Sequence, residues 1–311
     1  MNKSIILALG LTASLFASCK KDDDKPSDNQ KIPYTTLTST SSYFATFPGP
    51  DSATSVDISG QQTRISMLKE MDAYMRLATT SVVDAAKLRN MYRNLNAPFN
   101  SAALNAATDK TLISKTAQSF PAADAATERD RFDGFFDALA ATSAFHNQVA
   151  SQGSAGLLDA KYLVDAKGFE YGQFVQKGMM GALMLDQISN IYLGTEKQGA
   201  DNSVLVTGKN YTAMEHHWDE AYGYLTGNAY FPMKDPADAT KWLESYLGSY
   251  VRQVGAPYGN PTEVYLSFLH GRAAIVNNDM NTKNTQIANI RVALEKAVAT
   301  IAVSYLNKSK T

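Results

Sequence analysis

The densest group of chemically capable side chains lies in one run, Met214-Glu215-His216-His217-Trp218-Asp219-Glu220-Ala221-Tyr222-Gly223-Tyr224. Two of the chain's four histidines fall there beside three carboxylates, while His146 and His270 stand alone. On a helix His217 and Glu220 are three apart, as are His216 and Asp219, and His216 and Glu220 are four apart. Each pair therefore shares a face. An imidazole and a carboxylate one turn apart make half of a metal site of the kind built into helical bundles. Imidazole suits zinc, copper or iron and carboxylate suits harder ions, so iron, zinc and copper all stay open. His217, Glu220, His216 and Asp219 are the candidate metal ligands. The rest of a shell must come from neighbouring helices, with His270, Asp186, Glu70 and Asp72 as candidates. The same spacing equally suits a helix-surface ion pair or a buried polar network that fixes helix register.

Other catalytic patterns are absent from the sequence. There is no His-Glu-x-x-His pair, no Gly-x-Ser-x-Gly elbow and no phosphate-binding glycine loop before Lys-Ser/Thr. A metallopeptidase would need an open metal position and a base drawn from Glu215, Asp219 or Glu220. That reading ranks third, behind metal binding and behind non-catalytic recognition of a glycan or protein partner, and no catalytic residue is assigned. The aromatic content, with 16 Tyr, 13 Phe and 2 Trp, bears on the recognition reading. Trp218, Tyr222, Tyr224, Tyr230 and Phe231 cluster around the histidines, where rings more often pack a core than stack on a ligand. Exposure of Trp218, Trp242 and Tyr258 along one groove would favour recognition, and burial of all three would count against it.

The elements that must position these residues read as helical. Met67, Met71, Met75 and Ala78 recur at helical spacing after Gln61, and a second helix is expected over Val82 to Asn94. The methionine stripe reads as core packing rather than a cofactor box. Further helices are expected over Asp124 to Ser151, with Phe132, Phe135, Phe136, Leu139 and Phe145 inward, and over Phe169 to Leu193. Others follow over Tyr211 to Thr226, over Asp238 to Val254 with Asp238 as N-cap, over Thr262 to Asn277 after Pro261, and around Ile287 to Tyr305. Residues 32–60 read as irregular chain packed by Tyr34, Tyr43, Phe44 and Phe47, and Glu196 to Lys209 as a loop. No run shows sustained alternation. The fold class is all-α, a helical bundle of about eight helices or two packed bundles, with a point of sub-division near 153–168.

The N-terminus reads as an address. Lys3, the apolar run Ile5 to Phe16 and the small residues Ala17 and Ser18 form a signal peptide over 1–18, too short to span a bilayer comfortably. Cys19, the only cysteine in the chain, follows at once and resembles the lipidated residue of a bacterial lipobox, with Phe16 departing from the usual aliphatic residue. One cysteine excludes an intrachain disulfide and a thiolate zinc cage. Several acyl chains anchor stably where one alone binds marginally. Lys20-Lys21-Asp22-Asp23-Asp24-Lys25 resembles the acidic signal of surface-exported lipoproteins of Bacteroidota, and 19–31 read as a flexible tether. The expectation is an outer membrane lipoprotein bound to the membrane through Cys19, with a body at 32–311 that faces either the periplasm or, as the acidic signal suggests, the cell surface. With 29 basic and 30 acidic side chains the chain lacks the surplus of a nucleic-acid binder, and loss of Lys3 with the signal leaves 28 against 30.

Three motifs carry a family resemblance. They are Lys177-Gly178-Met179-Met180-Gly181-Ala182-Leu183 with Asp186-Gln187-Ile188 and Tyr192-Leu193, the histidine run itself, and Gly271-Arg272-Ala273-Ala274-Ile275-Val276 with Asp279. Together they resemble the lipoprotein family called domain of unknown function 4856, over nearly the whole mature chain. Members of that family continue beyond a helix like 287–306, so the resemblance implies that a terminal helix is lacking here. The family looks similar to the imelysins, helical-bundle proteins linked to iron uptake with a Gly-x-His-x-x-Glu motif. His217 and Glu220 match its His and Glu, and Glu215 stands where its Gly belongs. The resemblance implies a metal-related role for His217 and Glu220.

Overall fold

In the computed structural model the described residues are 30–234, 238–254 and 260–308. Cys19, the signal, most of the tether and Tyr258 lie outside them. Residues 32–311 form a unit of their own. Among the described residues there are eleven α-helices and a single two-stranded sheet. The helices are α1 (Tyr43–Thr46), α2 (Ser59–Arg76), α3 (Ala85–Arg93), α4 (Ala102–Ala106), α5 (Ala122–Ser143) and α6 (Tyr171–Met179). They continue with α7 (Thr195–Gln198), α8 (Ala213–Leu225), α9 (Tyr246–Gln253), α10 (Pro261–Val276) and α11 (Met280–Lys308). The all-α class expected from periodicity is what the chain adopts, and the count exceeds eight because α1, α4 and α7 are single turns of four or five residues.

α8 is the central element. It packs on α2, α7 and α10. Its start is fixed by a capping box: Thr212 Oγ1 accepts from the Glu215 amide at 3.2 Å while the Glu215 carboxylate accepts from the Thr212 amide at 2.8 Å. α10 begins with Pro261 in its first turn behind an Asn260 cap. Gly271 on α10 leaves room for the Trp218 ring, which a Cβ there would overlap. Trp218 is fully buried and donates Nε1–H to the Phe268 carbonyl at 3.0 Å. The methionine stripe Met67, Met71 and Met75 is buried in the core, as its spacing predicts.

Beyond α6 the helix continues as two π-helical stretches, Met180–Leu185 and Gln187–Tyr192. Such wide turns are rare and concentrate near functional sites. The second stretch packs on α8. The N-terminal strap, residues 32–58, crosses the bundle: Tyr43 stacks on Tyr222 with ring centroids 3.8 Å apart, and Phe47 is buried. No helix of the described residues is long and apolar enough to cross a membrane.

Besides the single turns α1 and α7, which fall in stretches expected to be irregular chain and loop, four sequence expectations change. The helix expected to run to Ser151 ends at Ser143, and Phe145 is exposed rather than inward. A hairpin follows it, β1 (Gly156–Leu158) antiparallel to β2 (Tyr162–Val164). In the three-residue connection between Leu158 and Tyr162, Asp159 and Ala160 both take left-handed φ. The helix expected from Asp238 starts only at Tyr246. The Asp238 side chain instead closes a turn on the Thr240 amide and hydroxyl, at 3.0 and 2.7 Å.

Candidate functional site

The histidine run folds as α8 and its residues divide between two environments. Asp219 is fully buried and faces α10, where Arg272, also fully buried, meets it through Nε at 3.1 and 3.2 Å. The same guanidinium donates to Glu215 at 2.7 Å and to Ser55 Oγ at 2.9 Å, and Tyr43 donates its hydroxyl to Asp219 at 2.8 Å. Phe47 lies under the guanidinium, 5.0 Å from ring centroid to its carbon. Burial pushes the Asp219 carboxyl up to about 6, and Arg272 opposes the rise, so it is ionised at neutral pH. Burial works against the charge of Arg272, yet Asp219 and Glu215 hold its pKa above the ordinary value. Both carboxylates are thereby engaged with one cation.

The other face of α8 carries His216, His217 and Glu220. His216 Nε2 lies 3.9 Å from Glu220 Oε2, the contact that spacing by four predicts. Its ring stacks on Tyr211 at 4.4 Å, and Nδ1 is buried without a hydrogen-bond partner among the described residues. Burial holds His216 below its ordinary pKa, against the pull of Glu220 and Asp57. His217 Nδ1 lies 3.0 Å from the Lys197 carbonyl. A carbonyl only accepts, so that nitrogen carries the proton and a neutral ring keeps Nε2 as an acceptor. Glu220 accepts from Gln61 Nε2 at 2.7 Å and its charge helps raise the phenols of Tyr192 and Tyr224, for which burial is the larger cause.

The remaining candidate ligands sit elsewhere with work of their own. Glu70 accepts from the Asn100 and Ser101 amides ahead of α4. Asp72 holds Arg76 at 3.0 Å and Gln176 at 3.0 Å. Asp186 accepts from the Ser119 amide and hydroxyl and from Asn190. His270 lines a separate groove between α10 and α11, with Nε2 buried and unpartnered among the described residues. Among the described residues no three His, Cys, Asp or Glu side chains converge closely enough to hold a metal ion. Arg272, Tyr43 and Ser55 were not legible as partners of the window. The one signal was an arginine inside the apolar run Phe268 to Val276.

The aromatic residues also divide. Trp218 is core, while Trp242 is 43% exposed with the Arg252 guanidinium 3.8 Å from its ring centroid and Lys234 at 5.2 Å. A different set lines an open groove of about 620 Å³ along α6, α9 and α11. Its floor is aliphatic, with Met180, Leu247, Val251, Val298 and Ile301, and Tyr162, Tyr250 and Tyr305 stand around it with Glu170, Gln173 and Lys177. Lys177 donates to the Tyr250 hydroxyl, which lies 3.0 Å from that of Tyr305. The first π-helical stretch supplies Met180 and Gly181 to this wall. A second groove of about 590 Å³, walled by Phe132, Phe135, Phe169 and Phe174, shares Glu170, Gln173 and Lys177 with the first.

Fold and site thus define an all-α protein with a charge-knotted central helix and an apolar groove along α6, α9 and α11. The chain belongs to the family described as domain of unknown function 4856, whose model matches residues 46–311. No curated protein and no solved structure matches the chain.

Proposed function

We propose that the chain is a non-catalytic recognition module, held to the outer membrane by lipid on Cys19 and facing the cell surface. The observation that carries the reading is the groove along α6, α9 and α11: about 620 Å³, mostly apolar, with a few convergent polar groups. Small-molecule sites have this form and volumes of about 300–1,000 Å³. The charge knot supports it from the other side. Asp219 and Glu215 already neutralise Arg272 and are not free to act as bases. Gly181 is on the groove lining and a Cβ there meets no atom within 4 Å, so Gly181→Phe adds a ring at the groove wall without an immediate clash. Thermal-shift screening of sugars, organic acids and amines should find a class that raises the Tm of the parent chain and not of Gly181→Phe. A screen in which no compound separates the two defeats the reading. Anchoring is tested apart from this: Cys19→Ser should abolish incorporation of labelled palmitate and release the protein from membranes.

A second reading, metal handling, rests on the histidines. His217 donates from Nδ1 to a carbonyl, which is how metal-bound histidines are commonly oriented. His216 is its neighbour and lies 3.9 Å from Glu220, and the match of His217 and Glu220 to the imelysin His-x-x-Glu spacing would point the same way. The donor set is short of a resident site, since among the described residues these three side chains do not converge on one point and no other His, Cys, Asp or Glu completes a group with them. Some of them would complete the shell of an ion that arrives with other ligands. Titration with iron, zinc and copper, free and citrate-bound, decides this: equal binding by wild type and by His216→Ala/His217→Ala/Glu220→Ala removes it.

A further inference from the structure

The tyrosines around the groove do not offer bare faces. Lys161 Nζ lies 4.7 Å from the Tyr162 ring centroid, Lys177 Nζ 4.5 Å from that of Tyr250, and Lys308 Nζ 5.5 Å from that of Tyr305. A sugar stacks on an open aromatic face, and each of these rings has one face already taken by an ammonium group. What remains for a ligand is an aliphatic floor with a cationic end. Glu170 is the one carboxylate on the lining, and burial raises its pKa against the pull of Lys177, Arg76 and Lys161. The Tyr250 hydrogen bond, helped by the charge of Lys177, holds the Tyr305 phenol below its usual value, while burial raises that of Tyr250. A neutral apolar ligand lying over Lys177 would strip water from an ammonium group and return no charge, which is costly. A ligand ending in an anion returns it.

Resting on the recognition reading, we propose that this groove binds a free amphipathic acid, its hydrocarbon body on Met180, Leu247, Val251 and Ile301 and its carboxylate at Lys177. The groove is of small-molecule size, so the occupant is a monomeric acid rather than a bilayer or a protein segment.

The test uses the whole chain from residue 19 onward with Cys19→Ser, titrated with fluorescent cis-parinaric acid. A matched long-chain alcohol, soluble oligosaccharides and phosphatidylglycerol vesicles serve as competitors. The acid should bind and the alcohol should compete about tenfold less well, the size of one charged hydrogen bond. Lys177→Met should weaken acid binding by about tenfold and leave the alcohol unchanged. Gly181→Phe should remove both, and Ala302→Trp, on the exposed side of the groove, replaces it if that variant does not fold. Equal acid binding by wild type and Lys177→Met overturns the proposal, as does an alcohol that competes as well as the acid or binding to vesicles alone. Binding of an oligosaccharide without the acid overturns it and leaves the recognition reading standing. No binding of any probe overturns the proposal, and the recognition reading is then decided by its own thermal-shift screen.

Discussion

The charge knot on α8 and the groove beside α6 use the same kinds of residue in opposite ways. At the knot a fully buried arginine is surrounded by acceptors from α8 and the strap, and those carboxylates have no capacity left for a ligand. At the groove, lysines lie over tyrosine rings at an open edge, with one carboxylate among them. A charge taken fully into the interior must be matched on the spot, because unmatched it costs several kcal/mol. A charge at the rim of an apolar cavity can stay solvated and be matched later by something that binds. The knot is architecture and the groove is capacity.

Substitutions can break that contrast. The largest loss of stability is expected from Arg272→Met, which leaves Asp219 buried without its cation: about 3–5 kcal/mol by denaturant unfolding. Arg272→Met/Asp219→Asn should recover part of it, and an additive double variant would mean the two residues are not a unit. Gly271→Ala comes next, since the new methyl overlaps Trp218 and displaces the ring: about 1–3 kcal/mol. Thr212→Ala removes the capping box of α8 and should cost about 0.5–2 kcal/mol.

Titration sharpens the contrast further. Burial holds His216 and His270 below their ordinary value of 6.5, so the unfolded chain binds protons there more readily than the folded one. Their contribution is present above that value and is lost as pH falls through the folded pKa. Asp219, raised from 3.8 to about 6, acts with the opposite sign between those values, gaining stability as pH falls. His216→Gln should therefore flatten the acid limb of the stability profile, and a profile unchanged by it contradicts the burial of that ring. The smallest change is expected at the rim: Lys177→Met should shift unfolding by less than about 0.5 kcal/mol, whatever it does to binding.

The helices that carried strong local signals were legible. Met67, Met71 and Met75 mark α2 by spacing alone, and Pro261 marks the start of α10. Asp238 looked like a helix cap because aspartate satisfies turn amides and helix amides with the same geometry. The hairpin was missed because three-residue strands leave no room for alternation. Within the window, the His216–Glu220 contact follows from helical spacing. Its other half does not, because Arg272 and Tyr43 reach Asp219 across 53 and 176 residues. The groove is harder still: Lys177, Tyr250 and Tyr305 each look ordinary in sequence and mean something only once three helices bring them together.

The strap has a kinetic consequence. Its bonds span the chain, from Tyr43 to Asp219 at a separation of 176, from Ser55 to Arg272 at 217 and from Ile32 to Asn277 at 245. Contacts so distant in sequence form slowly, because loop-closure entropy is lost before any bond returns it. The first residues of the body to be synthesised are thus among the last to be locked in place. Until α10 is in place, Asp219 and Tyr43 wait without their arginine, and the nascent chain stays open longest at its own beginning.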